Sequence, residues 1–267
     1  MTKNILITGS TDGIGLATAK QLAAQGHSIL LHGRTADKLE RAKSDVQDVK
    51  GSAIVETYLA DLSNLKEVEQ LADAVKAKHE ALDVLINNAG IFRVSNPVKD
   101  DGQDVRFVVN TLAPYLLTRR LLPLLGIEGR VVNLSSAAQA PFNIAALKGE
   151  VNVGDDFSAY AQSKLALTMW TEQMAEELGA NGPVLVAVNP GSMLGSKMVT
   201  EGFGVAGGDI GIGADILSRA ALSDEFADAS GKYFDNDSQR FAAPHLFAAD
   251  KGNVEAVVLA IKSIVAV

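Results

Sequence analysis

Cysteine is absent from the 267-residue chain, which excludes disulfides, thiolate metal ligands and a cysteine nucleophile. The few histidines are scattered without the spacing of metal ligands, so no metal site is predicted; they are His27, His32, His79 and His245. No apolar run reaches the ~18 residues that a membrane span needs. Neither a G-x-S-x-G elbow nor a G-x-x-x-x-G-K loop occurs, so neither a hydrolase of that type nor a P-loop nucleotidase is predicted.

Positive charge is also scarce, with 24 Lys and Arg against 32 Asp and Glu. The formal net charge of −8 and the pI of about 5.0 disfavour nucleic acid or an anionic membrane surface as a partner. No secretion-signal pattern precedes the first predicted strand, so we expect a cytoplasmic protein. Hydrophobic residues make up 47% of the chain, which is enough for one large core.

The stretch from residue 3 to 15, KNILITGSTDGIG, combines a short apolar run with a glycine-rich turn. Residues 5–7 are typical of a buried parallel strand, and 16–25 of a helix. Backbone N–H groups at such a turn and at the helix N-terminus can bind a pyrophosphate. The glycines alone also suit a simple tight turn, but the flanking strand and helix favour a dinucleotide site.

Strand and helix patterns alternate from end to end, which predicts one doubly wound α/β Rossmann domain over 1–267. Its parallel sheet of about seven strands has helices on both faces. The predicted strands are 5–7, 28–32, 53–59, 82–87, 130–134, 184–188 and 232–234. The predicted helices are 16–25, 35–48, 64–78, 104–125, 157–178 and 254–265.

Two stretches interrupt this alternation, 140–156 and 191–213. Both follow carboxyl ends of predicted strands, where open α/β sheets bind ligands, so both are predicted as substrate loops. The glycine-rich run 207–211 does not directly follow a strand, and we interpret it as a flexible flap rather than a second phosphate loop.

Taken in order, these motifs resemble the short-chain dehydrogenase/reductase family of the classical type. SAYAQSKLAL and GKYFDN are similar to its retinol-dehydrogenase-like branch. The resemblance implies a cofactor turn at 8–15, an adenine contact at 61–62, a motif after the fourth strand and another after the sixth. The cofactor-binding residues it implies are Gly9, Ser10, Thr11, Gly13, Ile14, Gly15, Asp61, Leu62, Asn88, Ala89, Gly90, Pro190, Gly191 and Ser192.

Asn110, Ser136, Tyr160 and Lys164 fall on the family's active-site positions. Tyr160 would be the acid/base, and Lys164, four residues later on the same helix face, would lower the pKa of its phenol. Ser136 would hydrogen-bond the substrate oxygen. The resemblance implies that Lys164 also holds the nicotinamide ribose and that Asn110 holds a water touching Lys164.

Two serine assignments stay open in the sequence. The spacing from Ser136 to Tyr160 is longer than in the family, so Ser135 remains an alternative to Ser136. The family often has a threonine a few residues after Pro-Gly that contacts the carboxamide of the nicotinamide. The stretch from Ser192 to Ser196 has no threonine, and either of its two serines could take that place.

The second predicted strand ends in Leu-His-Gly-Arg, with no acid at 32–34. Because an arginine there can bind a 2′-phosphate, Arg34 predicts NADP(H) in preference to NAD(H). The two loops supply apolar side chains and no arginine, which predicts an apolar carbonyl or alcohol substrate. The alternatives are a non-catalytic dinucleotide-binding sensor or scaffold, and epimerisation or dehydration of a sugar nucleotide.

Helices 104–125 and 157–178 carry more apolar residues than one buried face requires, for example Leu121, Leu122, Leu124, Leu125, Leu165, Leu167, Met169 and Trp170. The resemblance implies that these helices pair between subunits, so a homodimer or homotetramer is predicted. The insertion 140–156 could block that surface.

Overall fold

Within residues 1–266, which the computed structural model describes, eight strands form one sheet: β1 (Asn4–Ile7), β2 (Ser28–Gly33), β3 (Val55–Leu59), β4 (Val84–Asn87), β5 (Arg130–Leu134), β6 (Val184–Asn189), β7 (Tyr233–Asp235) and β8 (Arg240–Ala242). Val267, the last residue of the predicted domain, lies outside the described residues. The strand order is β3-β2-β1-β4-β5-β6-β7-β8, and only the β7–β8 pair is antiparallel. This is the doubly wound order.

Helices cover both faces of the sheet: α1 (Gly13–Ala24), α2 (Ala36–Gln47), α3 (Leu65–Lys78), α4 (Val105–Phe107), α5 (Ala113–Leu121), α6 (Ile144–Leu147), α7 (Asp156–Leu178), α8 (Lys197–Phe203), α9 (Ile210–Leu222) and α10 (Lys251–Val265). Side chains alternate along a strand, so Ile5 and Ile7 pack with α1, α2 and α9, while Leu6 packs with α3, α5 and α7. The predicted Rossmann fold is confirmed. Among residues 1–266, no helix is both long enough and apolar enough to cross a bilayer.

The predicted helix 104–125 is interrupted. A π-helical segment, Val108–Leu112, separates α4 from α5, and a 3₁₀ turn, Leu122–Leu124, follows α5. Pro114 has no N–H to donate to the carbonyl of Asn110, four residues earlier, so regular α-helical bonding fails at this point. The site residue Asn110 therefore lies in the widened segment.

Two further elements differ from the prediction. β8 adds an eighth strand at the edge, too short at three residues to show a pattern in the sequence. α9 begins inside the stretch interpreted as a flap, because the Asp209 carboxylate accepts the Gly211 N–H at 2.8 Å and caps it. The run 207–211 is therefore partly the start of a helix.

The apolar surplus of α5 and α7 is buried within one chain. α10 packs on α7, and α6 packs beneath α10. Trp170 and Leu121 are fully buried, as is Leu147 from the insertion 140–156. Leu122 and Leu124 are partly exposed, and the dimer or tetramer stays a prediction.

Candidate active site

A cleft of about 500 Å³ opens where β1 and β4 end, at the point where the strand order reverses. It runs from the glycine turn to the first turns of α7 and is partly covered by α8. Most of the predicted cofactor residues line it: Gly9, Thr11, Gly13, Ile14, Gly15, Arg34, Asp61, Leu62, Asn88, Ala89, Gly90, Tyr160, Lys164 and Pro190.

The glycine turn fits a pyrophosphate because two of its glycines leave no room for side chains. A Cβ on Gly9, whose φ is +63°, would lie 2.9 Å from the Cα of Ala89. A Cβ on Gly15 would lie 2.4 Å from Nδ2 of Asn88. The turn leads directly into α1, whose first-turn N–H groups border the cleft. Asp12 also lines the cleft, where its carboxylate accepts the Gly13 N–H at 2.9 Å and forms an ion pair with Lys197.

The loop after β4 is tied to the end of β1. Nδ2 of Asn88 donates to the carbonyls of Thr8 at 2.8 Å and Gly9 at 3.0 Å, and the Ala89 N–H donates to Oγ1 of Thr8 at 3.1 Å. Gly90 lets the Lys164 ammonium approach, since a Cβ there would lie 3.3 Å from Nζ. This loop connects the end of the cleft at the glycine turn to the end at Tyr160 and Lys164.

Arg34 lies at the opposite end of the cleft, exposed, together with the exposed Lys38 of α2. Asp61 is held in place there by its own contacts. Its N–H donates to Oε2 of Glu67 at 2.7 Å, and its Oδ1 accepts the Ser63 N–H at 2.9 Å. This end therefore presents two cations near the wall predicted to contact adenine.

Tyr160 and Lys164 lie one turn apart on α7. The Lys164 ammonium is buried, donates to the Leu134 carbonyl at 2.6 Å and lies 5.7 Å from the centre of the Tyr160 ring. Burial lowers the pKa of Lys164 to about 8. Burial raises the pKa of Tyr160, and only the Ser136 hydroxyl opposes this rise. Lys164 is not among the causes of this shift, so the lowering of the Tyr160 pKa expected from it is not seen.

The two neighbouring serines differ in their contacts. Ser135 borders the cleft, but its buried hydroxyl lies 2.7 Å from Oγ1 of Thr168 and donates to the Lys164 carbonyl at 3.3 Å. The Ser136 hydroxyl accepts the Ala138 N–H at 3.1 Å and opposes the rise in the Tyr160 pKa, and Ser136 is not among the residues lining the cleft in the described chain. Because the Ser135 hydroxyl is bonded to α7, Ser136 is the better candidate to act with Tyr160.

Asn110 connects the loop after β4 to α7. Its Oδ1 accepts the Ile91 N–H at 2.9 Å, and its Nδ2 donates to the Ile91 carbonyl and to Oγ of Ser163, each at 2.9 Å. Since both ends of the amide are bonded within the protein, the side chain positions these two elements. The water-holding role that the resemblance implies for Asn110 stays a prediction.

Three predicted cofactor residues are not among those lining the cleft in the described chain: Ser10, Gly191 and Ser192. The Ser10 hydroxyl is buried against the backbone of His32. Ser192 donates from its N–H at 2.8 Å and from its hydroxyl to the Asp237 carboxylate. Ser196 does line the cleft, at the start of α8, so it is the better candidate for the carboxamide contact.

The two predicted substrate loops lie differently relative to the cleft. α8, from the stretch 191–213, covers the cleft, and its Phe203 stacks on Phe92 with ring centres 5.4 Å apart. Phe92 in turn places its ring edge-to-face with Tyr160 at 5.2 Å. In the insertion, by contrast, Phe142 is buried against Phe107 in the core. Only residues 152–156 approach the site, bordering a second cavity of about 460 Å³ beside Phe92.

Sequence reasoning missed two residues of the cleft in particular, His32 and Arg93. Arg93 follows β4 outside any motif, and its guanidinium lies 5.7 Å from the centre of the Phe92 ring. His32 was visible as a polar side chain at the end of the apolar second strand, which could have singled it out.

Comparison with known proteins agrees with this geometry. The family model for short chain dehydrogenase matches residues 3–203. Retinol dehydrogenase 13 of Homo sapiens is 32% identical over 260 residues, covering 91% of this chain and 78% of that protein. A crystal structure of an uncharacterized protein from Mycobacterium paratuberculosis superposes with a TM-score of 0.81 at 28% identity, covering 98% of this chain and 93% of that one.

A short chain dehydrogenase from Burkholderia cenocepacia J2315, solved in complex with NADP, is 26% identical with a TM-score of 0.69, covering 88% of this chain and 95% of that one. The chain therefore belongs to the short-chain dehydrogenase/reductase family, in its retinol-dehydrogenase-like branch, and is an oxidoreductase acting on CH–OH or C=O groups.

Proposed function

We propose that the protein is an NADP(H)-dependent oxidoreductase that interconverts an apolar carbonyl compound and its alcohol, with Tyr160 as acid/base. The observation that carries this is the placement of Tyr160 and Lys164, one helical turn apart, at one end of a cleft whose other parts fit a dinucleotide; Ser136 directly follows the lining residue Ser135. The nicotinamide would supply or accept the hydride.

The proton chemistry is assigned to Tyr160. Its pKa is raised by burial, so the phenol stays protonated near neutral pH and can donate to a substrate oxygen as negative charge develops there. The Ser136 hydroxyl would hydrogen-bond that oxygen. In the reverse direction the phenolate would take the proton from the alcohol.

Lys164 supports both roles. An ammonium has three donors, of which one is used on the Leu134 carbonyl, leaving two for the cofactor ribose and the phenol region. Its positive charge favours the phenolate that remains after proton transfer. Consumption of NADPH with a panel of apolar aldehydes and ketones tests the proposal. No turnover of any of them, with NADPH binding intact, would favour the non-catalytic sensor or scaffold instead.

The proposed preference for NADP(H) depends on Arg34 and Lys38, the two cations at the adenine end of the cleft. A hydrogen bond to a charged group contributes about 1.5–3 kcal/mol, which corresponds to one to two decades in affinity. Both side chains are exposed, and solvent screening reduces this effect. NADPH should still bind at least about tenfold more tightly than NADH.

Fluorescence titration of both reduced cofactors tests this preference. Arg34→Ala should remove most of it by weakening NADPH and leaving NADH nearly unchanged. Arg41→Ala is the matched control, since Arg41 is an exposed arginine of α2 that does not border the cleft in the described chain. Equal affinities in the parent, or a full preference retained by Arg34→Ala, would contradict the proposal.

The substrate proposal rests on the apolar wall beside Tyr160, formed by Phe92, Val94 and Met198. The two predicted loops contain no arginine, but Arg93 of the loop after β4 borders the cleft. Asp156 lies 3.8 Å from the Arg93 Nε and counters its charge. We therefore expect apolar aldehydes or ketones to have higher kcat/KM than keto acids or sugar phosphates, and the opposite ranking would refute this. A cytoplasmic location remains part of the proposal, and cell fractionation tests it.

A further inference from the structure

His32 joins two walls of the cleft from the end of β2. The side chain is 2% exposed. Its Nδ1 accepts the Gly9 N–H at 3.1 Å, and its Nε2 lies 3.1 Å from the Ala60 carbonyl oxygen. Because a backbone N–H only donates and a carbonyl only accepts, both contacts are satisfied by a single form, the neutral imidazole protonated on Nε2.

The backbone of His32 holds the same turn. Its N–H donates to Oγ of Ser10 at 2.9 Å, and its carbonyl accepts the Ser10 N–H at 3.0 Å. Two consecutive residues of the glycine turn, Gly9 and Ser10, are thus fixed to one residue of β2. Gly9 has a positive φ, which glycine adopts where the backbone turns tightly and approaches a ligand closely. The bonds to His32 hold the turn in this conformation.

The imidazole therefore lies between the two parts of the cleft that must bind one ligand. Gly9 begins the turn that fits the pyrophosphate, and Ala60 precedes Asp61 and Leu62, the wall predicted to contact adenine. We propose that His32 is a positioning residue for the dinucleotide, setting the distance between the pyrophosphate turn and the adenine wall. The proposal rests on cofactor binding in this cleft, and neither on the preference for NADP(H) nor on the catalytic role of Tyr160.

A matched control exists at the other end of the same strand pair. Nδ1 of His27 accepts the Lys3 N–H at 3.2 Å, so His27 also joins the segments leading into β1 and β2 through a ring nitrogen and a backbone N–H. His27 does not border the cleft in the part of the chain that the structure describes. Its replacement should leave cofactor affinity unchanged.

Three substitutions separate the two contacts. His32→Ala removes both. In His32→Asn the side-chain oxygen takes the place of Nδ1 and can still accept from Gly9, whereas in His32→Gln the amide reaches toward Ala60 and leaves the Gly9 N–H unbonded. Fluorescence titration of NADPH and NADH with each protein measures affinity directly, and circular dichroism verifies that each variant is folded.

We expect His32→Ala and His32→Gln to raise the dissociation constant of both cofactors at least about tenfold. His32→Asn should stay within about threefold of the parent, and His27→Ala should match it. At saturating cofactor, the kcat of folded His32→Gln should fall by a smaller factor than its cofactor affinity does. Folded His32→Ala or His32→Gln with parental affinity would overturn the proposal, as would an equal loss in His27→Ala. Failure of the parent itself to bind either cofactor would instead overturn cofactor binding at this site.

If His32→Ala does not fold, the comparison of His32→Asn with His32→Gln decides the question. Both keep a polar side chain of intermediate size, and only their bonding to Gly9 differs. Tighter binding by His32→Gln than by His32→Asn would show that the Gly9 contact does not position the cofactor turn.

Discussion

Replacement of Arg106 by methionine should destabilise the protein strongly. Arg106 is 1% exposed, and its Nε donates to Oδ1 of Asp104 at 2.8 Å, while Nη2 contacts the other oxygen of the same carboxylate. Nη1 contacts Asp156, the first residue of α7. The substitution leaves the buried Asp104 carboxylate without its cation, and breaking a buried ion pair in this way costs about 3–5 kcal/mol.

Urea denaturation and thermal unfolding of the parent and Arg106→Met measure this loss. At about 2–4 °C per kcal/mol for a chain of this size, the midpoint temperature should fall by roughly 6–20 °C. Arg120→Met is the matched control, because Arg120 is about one-third exposed and lies 3.6 Å from Glu69 and 3.7 Å from Asp73. An exposed pair of this kind contributes at most about 1 kcal/mol.

The double variant Asp104→Asn/Arg106→Met tests whether the unpaired charge of Asp104 causes the loss of stability. Asparagine keeps an oxygen for the Arg106 backbone N–H that Asp104 now accepts at 2.9 Å, but it carries no charge. The double variant should therefore recover at least about half of the stability lost in the single variant. An Arg106→Met protein within about 1 kcal/mol of the parent, or a double variant less stable than the single one, would refute the reasoning.

Two further predictions concern pH and assembly. Burial lowers the pKa of His32 from 6.5 to about 4, although the nearby Asp61 carboxylate favours protonation. The unfolded chain therefore binds a proton at His32 at a higher pH than the folded chain does. The contribution of His32 to the free energy of unfolding is complete above about pH 6.5, and up to about 3 kcal/mol of it is lost as the pH falls toward 4. Urea titrations between about pH 7 and pH 5 should show a smaller loss for His32→Asn than for the parent, and parallel losses would contradict this. The predicted dimer or tetramer is tested by light scattering at micromolar concentration, and a 28.0 kDa species alone would contradict it.

The fold was predictable from the sequence wherever a short stretch carries its own pattern of apolar residues and glycines. Ile5, Leu6 and Ile7 are followed by glycines and a helix, and this order alone identifies β1, the turn and α1. α9 was not found because glycines dominate its beginning. One of them, Gly213, is required by packing, since a Cβ there would lie 2.8 Å from Cδ1 of Leu194. That requirement arises from a residue 19 positions away and leaves no mark in the local pattern.

The site was likewise predictable only where residues close in the sequence determine its geometry. Tyr160 and Lys164 are four residues apart on one helix, so their proximity follows from helical geometry. Ser192 and Ser196 were equivalent in the sequence, and the choice between them depends on Asp237, which engages Ser192 from 45 positions away. Whether Phe142 faces substrate or core likewise depends on Phe107 of α4, a tertiary contact that the spacing does not encode.

The acid/base role of Tyr160 is the central claim, and Tyr160→Phe tests it most directly. Phenylalanine keeps the ring that meets Phe92 edge-to-face and removes only the hydroxyl. Tyr115→Phe is the control, since Tyr115 is a buried tyrosine of α5 that packs on Trp170 and does not border the cleft in residues 1–266.

The measurement is kcat for a carbonyl that the parent reduces, together with the NADPH dissociation constant of each protein. Loss of a general acid lowers the rate about 10²–10⁴-fold. Tyr160→Phe should show that loss with NADPH affinity within about twofold of the parent, while Tyr115→Phe should resemble the parent in both. A Tyr160→Phe protein that binds NADPH normally and retains most of the parental kcat would contradict the account.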